Sequence, residues 1–212
     1  MAPPQSQPVV HRRDQSEIEF SRIVAFSDGV FAIAITLLVL ALEVPPGGDV
    51  GDALQERGDE FFAYFLSFAV VGRFWMGHHR FFGAVERFNG GLVALNLCYL
   101  AFIALVPFTS EVLGNHSDDS LGVALYAANL TAVSLGSFAM IHYAYRRQLV
   151  REDAEAYRSR FAGGASITIA MVFALSIPLA FLSPTAAVIS WASLFVLGDR
   201  VADRVTGVRA PK

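Results

Sequence analysis

The chain has 212 residues, 54% of them hydrophobic and 17% charged, with a mean hydropathy of +0.48 and a formal net charge of −3. That composition excludes an ordinary soluble domain, and a weak net charge with no basic, aromatic platform excludes nucleic acid as a partner. A single cysteine, Cys98, rules out an intramolecular disulfide.

Residues 1–21 read as a polar, proline-bearing tail, disordered over Met1 to Pro8, with Ser16 to Ser21 able to begin a helix. The next stretch, Arg22 to Glu43, is apolar from Ile23 to Leu42 apart from Ser27, Asp28 and Thr36. About 20 helical residues cross a bilayer core of about 30 Å, so this is span 1. It is too long for a signal-peptide core, has no A-x-A-like end, and is expected to stay in the mature protein. Asp28, less than two turns inside, needs a partner. It is either a functional residue or, with Ser27, a local hydrogen-bonding group near the helix end. Ile33, Thr36, Leu37 and Leu40 share one helical face, which periodicity alone assigns to packing or lipid contact.

Pro45-Pro46-Gly47-Gly48 stops span 1, and Asp49 to Glu60 forms an acidic loop. The remaining spans are expected at about 61–80, 92–113, 121–145, 161–182 and 184–198. Arg73 lies inside span 2, Asn96 and Pro107 interrupt span 3, and Asn129 falls in span 4. Gly163-Gly164 starts span 5, and Ser183-Pro184 supplies an N-cap and first helical residue for span 6. A charged linker, 146–160, joins spans 4 and 5, and a polar tail covers 199–212. The arginines of the linker suit anionic lipid, but its interspersed Glu152, Asp153 and Glu155 weaken that reading and favour a solvated helix with internal charge pairs.

Six spans put 15 of the 16 basic residues on one side, leaving only Arg57 opposite. By the positive-inside rule both termini are cytoplasmic and the protein is a multi-pass protein of the cell membrane. A chain in lipid is all-helical unless it closes a barrel, and alternating ten-residue strands are absent. Spans 1–3 and 4–6 share no polar pattern, which disfavours an inverted-repeat transporter.

Arg73, Trp75, His78 and His79 lie toward the same membrane side as Asp28, so Arg73 or a histidine is its expected partner. Adjacent histidines point in different directions on a helix, so His78-His79 is a poor metal chelate. His116 is on the other side and His142 is far along the chain. No H-E-x-x-H, P-loop or G-x-S-x-G pattern occurs, so neither an enzyme nor a metal or other cofactor is expected.

Arg22-x-x-x-Phe26-Ser27-Asp28 followed by GVFAIAITLLVL closely resembles the signature of the transmembrane protein 175 family, in its prokaryotic potassium-channel branch. The resemblance implies a homotetrameric potassium channel without the Thr-Val-Gly-Tyr-Gly filter, which this chain lacks. It further implies a central pore lined by span 1. Ile33 would form the constriction, Leu37 and Leu40 further apolar rings, and Thr36 a hydroxyl layer, with potassium the permeant ion. Arg22, Phe26, Ser27 and Asp28 would hold the pore helix against spans behind it. A proton-coupled or small-solute transporter and a non-conducting structural membrane protein are the alternatives.

Overall fold

The computed structural model describes residues 10–42, 51, 57–151 and 166–194. The tail ahead of residue 10, the Pro-Gly stop after span 1 and nearly all of the acidic loop lie outside the described residues. So do the linker beyond Arg151, Gly163-Gly164 and everything past residue 194.

The first helix, α1, runs Val10–Leu37 and tightens into a 3-10 turn over Leu38–Ala41. It starts well before Ser16. The helices that follow are α2 (Gly58–Ala84), α3 (Gly90–Ala104), α4 (Val106–Asn115), α5 (Ser120–Arg146), α6 (Ser166–Leu182) and α7 (184–194). Three stretches, 18–41, 90–115 and 120–146, are long and apolar enough to cross a membrane by length and hydropathy alone. At 27 residues α2 reaches about 40 Å, and its lower hydropathy comes from polar residues such as Arg73, His78 and His79.

Expected span 3 is two helices, α3 and α4, which meet at Leu105. Pro107 explains the break: it has no N–H for the carbonyl of Ile103, and its ring crowds that carbonyl. The other helix starts follow local chemistry. Asn89 accepts from the Leu92 amide at 3.0 Å, Asp119 from Leu121 at 2.9 Å, and Ser183 from Ala186 at 3.3 Å. Asp59 and Glu60 open α2 at the end where the helix dipole favours acids, and Arg57 bonds Glu60 at 2.8 Å.

The core is organised around α5, whose Val123, Tyr126, Ala127, Leu130, Val133 and Ala144 are wholly enclosed. It packs on α6, α3 and α4, while α2 packs on α4. Helices in lipid gain little from burying apolar surface against one another, so close fit and interhelical hydrogen bonds hold them. Both are present. A side chain added at Gly136 would sit 3.3 Å from the Tyr99 ring, so α5 and α3 approach closely there. Ser67 of α2 donates to Ser110 of α4 at 2.8 Å, and the Tyr126 hydroxyl of α5 lies 2.9 Å from the same Ser67 oxygen. Trp191 of α7 donates to Ser176 of α6 at 2.9 Å. Beyond α5, Leu149 to Arg151 pair with the α2–α3 connection through an antiparallel bridge, Val85 to Val150.

By contrast α1 is peripheral. It packs on α2, α3 and α4, and it is the least buried of the three stretches long and apolar enough to span.

Candidate functional site

The two faces of α1 differ sharply. Ser27, Phe31, Ala34 and Leu38 point into the subunit, with Phe31 and Leu38 each 1% exposed. Ile33, Leu37 and Leu40 point out, at 59%, 42% and 68% exposed, and Thr36 is exposed with them. The four stripe residues therefore lie together on an apolar face that no element of the described subunit covers. The Thr36 hydroxyl donates to the Ile33 carbonyl at 2.9 Å. Its hydrogen is thus spent within the helix, and its lone pairs remain outward. Val39, expected to face away from the stripe, is also exposed, at 49%; with the 3-10 winding from Leu38 it lies about 80° round the helix from Ile33, close to the direction of Thr36.

Behind the stripe runs a buried polar chain. Ser27 Oγ donates to the Ile23 carbonyl at 2.9 Å and accepts from Asn96 Nδ2 at 2.9 Å. Asn96 Oδ1 lies 2.9 Å from His78 Nε2. The directions follow from one another. With its amide hydrogen given to Ser27, Asn96 offers an acceptor to His78, so His78 carries its proton on Nε2. His78 Nδ1 has no partner among the described residues. The ring is enclosed by Phe31, Phe82 and Tyr99, stacking on Tyr99 at 5.7 Å. The chain thus ties α1, α2 and α3 at one point.

Asp28 lies on the flank of α1 and accepts from Trp75 Nε1 at 2.9 Å. Among the described residues, no hydrogen bond or salt bridge joins it to Arg73, His78 or His79, the expected partners. Helical geometry accounts for the difference. Arg73 is two residues from Trp75, hence about 200° away on α2, and its guanidinium runs along Gly77. His78 turns inward to Asn96, and His79 stacks on the Trp75 ring at 5.6 Å. His78 and His79 thus diverge, and no cluster of metal-ligating side chains occurs among the described residues. Arg22 and Phe26 are exposed on the stripe's side and, with Glu19, Ile23, Phe88, Val93, Asn96 and Leu97, line a hollow of about 410 Å³.

Asn96 and Trp75 carry the two contacts that sequence reasoning missed. A lone amide in the apolar run Leu92 to Leu105 was the available signal for Asn96. Trp75 was placed on the Asp28 side of the membrane, but nothing singled it out over Arg73 and the histidines, since tryptophan is ordinary near a membrane interface.

A family model described as the endosomal/lysosomal potassium channel TMEM175 matches residues 22–107, a range that holds the motif, the stripe and the polar chain. A protein of Streptomyces collinus named as a potassium channel is 36% identical over 179 residues, 78% of this chain and 84% of its own length. A Bos taurus protein named as the endosomal/lysosomal proton channel TMEM175 is 37% identical over 134 residues, 56% of this chain but only 28% of its own length. The crystal structure of a lysosomal potassium-selective channel TMEM175 homolog from Chamaesiphon minutus superposes with a TM-score of 0.69 at 28% identity. It covers 88% of this chain and 98% of that one.

Proposed function

The chain belongs to the TMEM175 family, and on that premise we propose that it is a potassium-permeable cation channel, a homotetramer whose α1 helices line a central pore. It is an all-helical membrane protein and not an enzyme. The observation that carries the proposal is the division of α1: one face is anchored by Ser27 and Asp28, and the other presents Ile33, Thr36, Leu37 and Leu40 to no partner within the subunit. An apolar helix side turned to lipid needs no such anchoring. A helix that must hold side chains at fixed distance from an axis does.

In this arrangement Ile33 forms the narrowest ring. Aliphatic side chains cannot replace a hydration shell, so such a ring closes by dewetting and passes ions that have shed part of their water. Potassium gives up water more readily than sodium. Thr36 presents hydroxyl lone pairs one turn further along, the polarity a partly dehydrated cation requires. Arg22 and Phe26 belong with Ser27 and Asp28 to the inner end of the helix, where the motif fixes its position. The charge distribution supports cytoplasmic termini and a cell-membrane location, since 15 of 16 basic residues fall on one side. Acids on the other side, Glu43, Asp49 and Asp52, raise the local cation concentration at the outer mouth.

Purified protein in a planar bilayer under a potassium gradient tests this reading. Discrete current steps that reverse near the potassium equilibrium potential are expected. Saturable, proton-driven flux without steps, or no conduction, would sink it. The Bos taurus relative is named as a proton channel; a proton gradient in the same bilayer measures whether protons also pass here.

A further inference from the structure

We propose that Glu111 draws cations to the outer entrance of the pore, one carboxylate from each subunit. The inference rests on the reading above, in which four α1 helices surround an axis and both termini are cytoplasmic. Glu111 is exposed in the second turn of α4. It lines a small hollow with Leu38 and Ala41 of α1, Glu60 and Tyr64 of α2, and Gly114. Leu38 and Ala41 belong to the outer 3-10 turn and follow directly on Leu37 and Leu40 of the stripe. The carboxylate therefore stands one helix behind the outer end of α1.

Its position is fixed from both sides. Ser110, next to it in the chain, donates to the Ala63 carbonyl at 3.2 Å and accepts from Ser67 at 2.8 Å. At Gly114 the helix closes on the first turn of α2, where a Cβ would stand 3.0 Å from the Glu60 Cα. A charge carried on a helix so fastened keeps its distance from the axis.

Nothing at this end neutralises it. Arg57 is the one lysine or arginine expected on the outer side. Its guanidinium is taken by Glu60, Nη1 reaching the two carboxylate oxygens at 3.1 and 2.8 Å. Glu60 thus lines the same hollow as half of a neutral pair. Asp59, Asp118 and Asp119 keep their charge, but they line a second hollow around His116 that no described residue of α1 touches. Glu111 is the uncompensated acid that packing sets beside the pore helix.

Four such charges raise the cation concentration at the mouth. With each about 15 Å from the axis, one helix packed behind another, the gain is about threefold at about 10 mM ionic strength and vanishes at about 1 M, where the Debye length is about 3 Å.

The test is single-channel current through the full chain in planar bilayers, in symmetric potassium at those two concentrations. Glu111→Gln should lower the current entering from the outer face about threefold in dilute salt and leave it unchanged in concentrated salt. With Cys98 replaced by serine, Glu111→Cys should show the same loss. A sulfonate-bearing thiol reagent in the outer compartment should then restore the current, and an ammonium-bearing one should lower it further. Arg57→Gln with Glu60→Gln removes equal and opposite charges and should change nothing. An unaltered current in Glu111→Gln, an equal loss at both salt concentrations, the same effect from both reagents, or as large a loss in the Arg57 and Glu60 double variant would overturn the proposal and leave the channel reading standing. No conduction by the unmodified chain would overturn both.

Discussion

Asn96 donates to Ser27 at 2.9 Å, and this bond fixes the direction of every other hydrogen bond in the chain behind the α1 stripe. Because Ser27 spends its own hydrogen on Ile23, the pair has one arrangement, and α1 is held to α3 in one rotational setting.

Removing that bond should loosen α1 more than it loosens the core. Asn96→Leu leaves Ser27 short of a donor and His78 short of an acceptor, both buried. A loss of about 1–2 kcal/mol is expected for each. Thermal unfolding in detergent, compared with Ser27→Ala, checks this. A leucine variant as stable as the parent would show that the chain does not contribute.

Asp28→Asn should weaken assembly or stability more than it alters ion selectivity. Asparagine keeps an oxygen that can accept from the Trp75 indole, so the contact is weakened rather than lost, by about 0.5–1.5 kcal/mol. Trp75→Phe removes the donor outright and should cost more, and the double variant less than the sum, since both act on one contact. Additive losses would mean that Asp28 has another partner in the assembled protein.

Ile33→Asn keeps similar bulk while giving the proposed ring hydrogen-bonding groups. Current should rise and discrimination against sodium should fall. Val39→Asn, about 80° round α1 from Ile33, should change both less. Bilayer recordings in mixed potassium and sodium decide between them, and a Val39 variant that changes both properties while the Ile33 variant changes neither would refute the assignment of Ile33 to the constriction.

Gly122→Ala tests the α4–α5 turn. A Cβ there would stand 2.7 Å from the His116 carbonyl oxygen, and backbone cannot swing aside as a long side chain does. A destabilisation of about 1–3 kcal/mol is expected. Gly83→Ala meets nothing within 4 Å and should be neutral or slightly stabilising in the same assay.

Sidedness is checked by labelling. With Cys98 replaced by serine, a cysteine at Asp118 should react with an impermeant thiol reagent in intact cells. One at Arg147 should react only after permeabilisation. The reverse pattern would invert the topology.

The helices were legible because lipid demands long apolar runs, and the ends of those runs carry caps and prolines that act locally. The α3–α4 break at Leu105 follows from Pro107 in the same way. That Ile33, Thr36, Leu37 and Leu40 share one face of α1 was also legible, since helical period alone sets it; whether that face turned inward or outward was not. The partner of Asp28 was not. Choosing among Arg73, Trp75, His78 and His79 requires the rotation of α2 about its own axis, and α2 offers polar residues on several faces. Charge favoured arginine, but packing presented the indole. Asn96 was visible as an odd residue, yet pairing it with both Ser27 and His78 needed the crossing point of three helices.

The outer end of α1 has a different gauge from the rest. Over Leu38–Ala41 the winding is 3-10, in which residues three apart eclipse one another, so Leu40 stands directly over Leu37. Continued α winding would carry Leu40 about 60° further back and bring it about 1.5 Å closer to Leu37 along the helix axis. Rewinding one short turn, with no tilt of the helix and no break in the Ser27 anchor, would therefore re-aim Leu40 while Ile33 stays where it is.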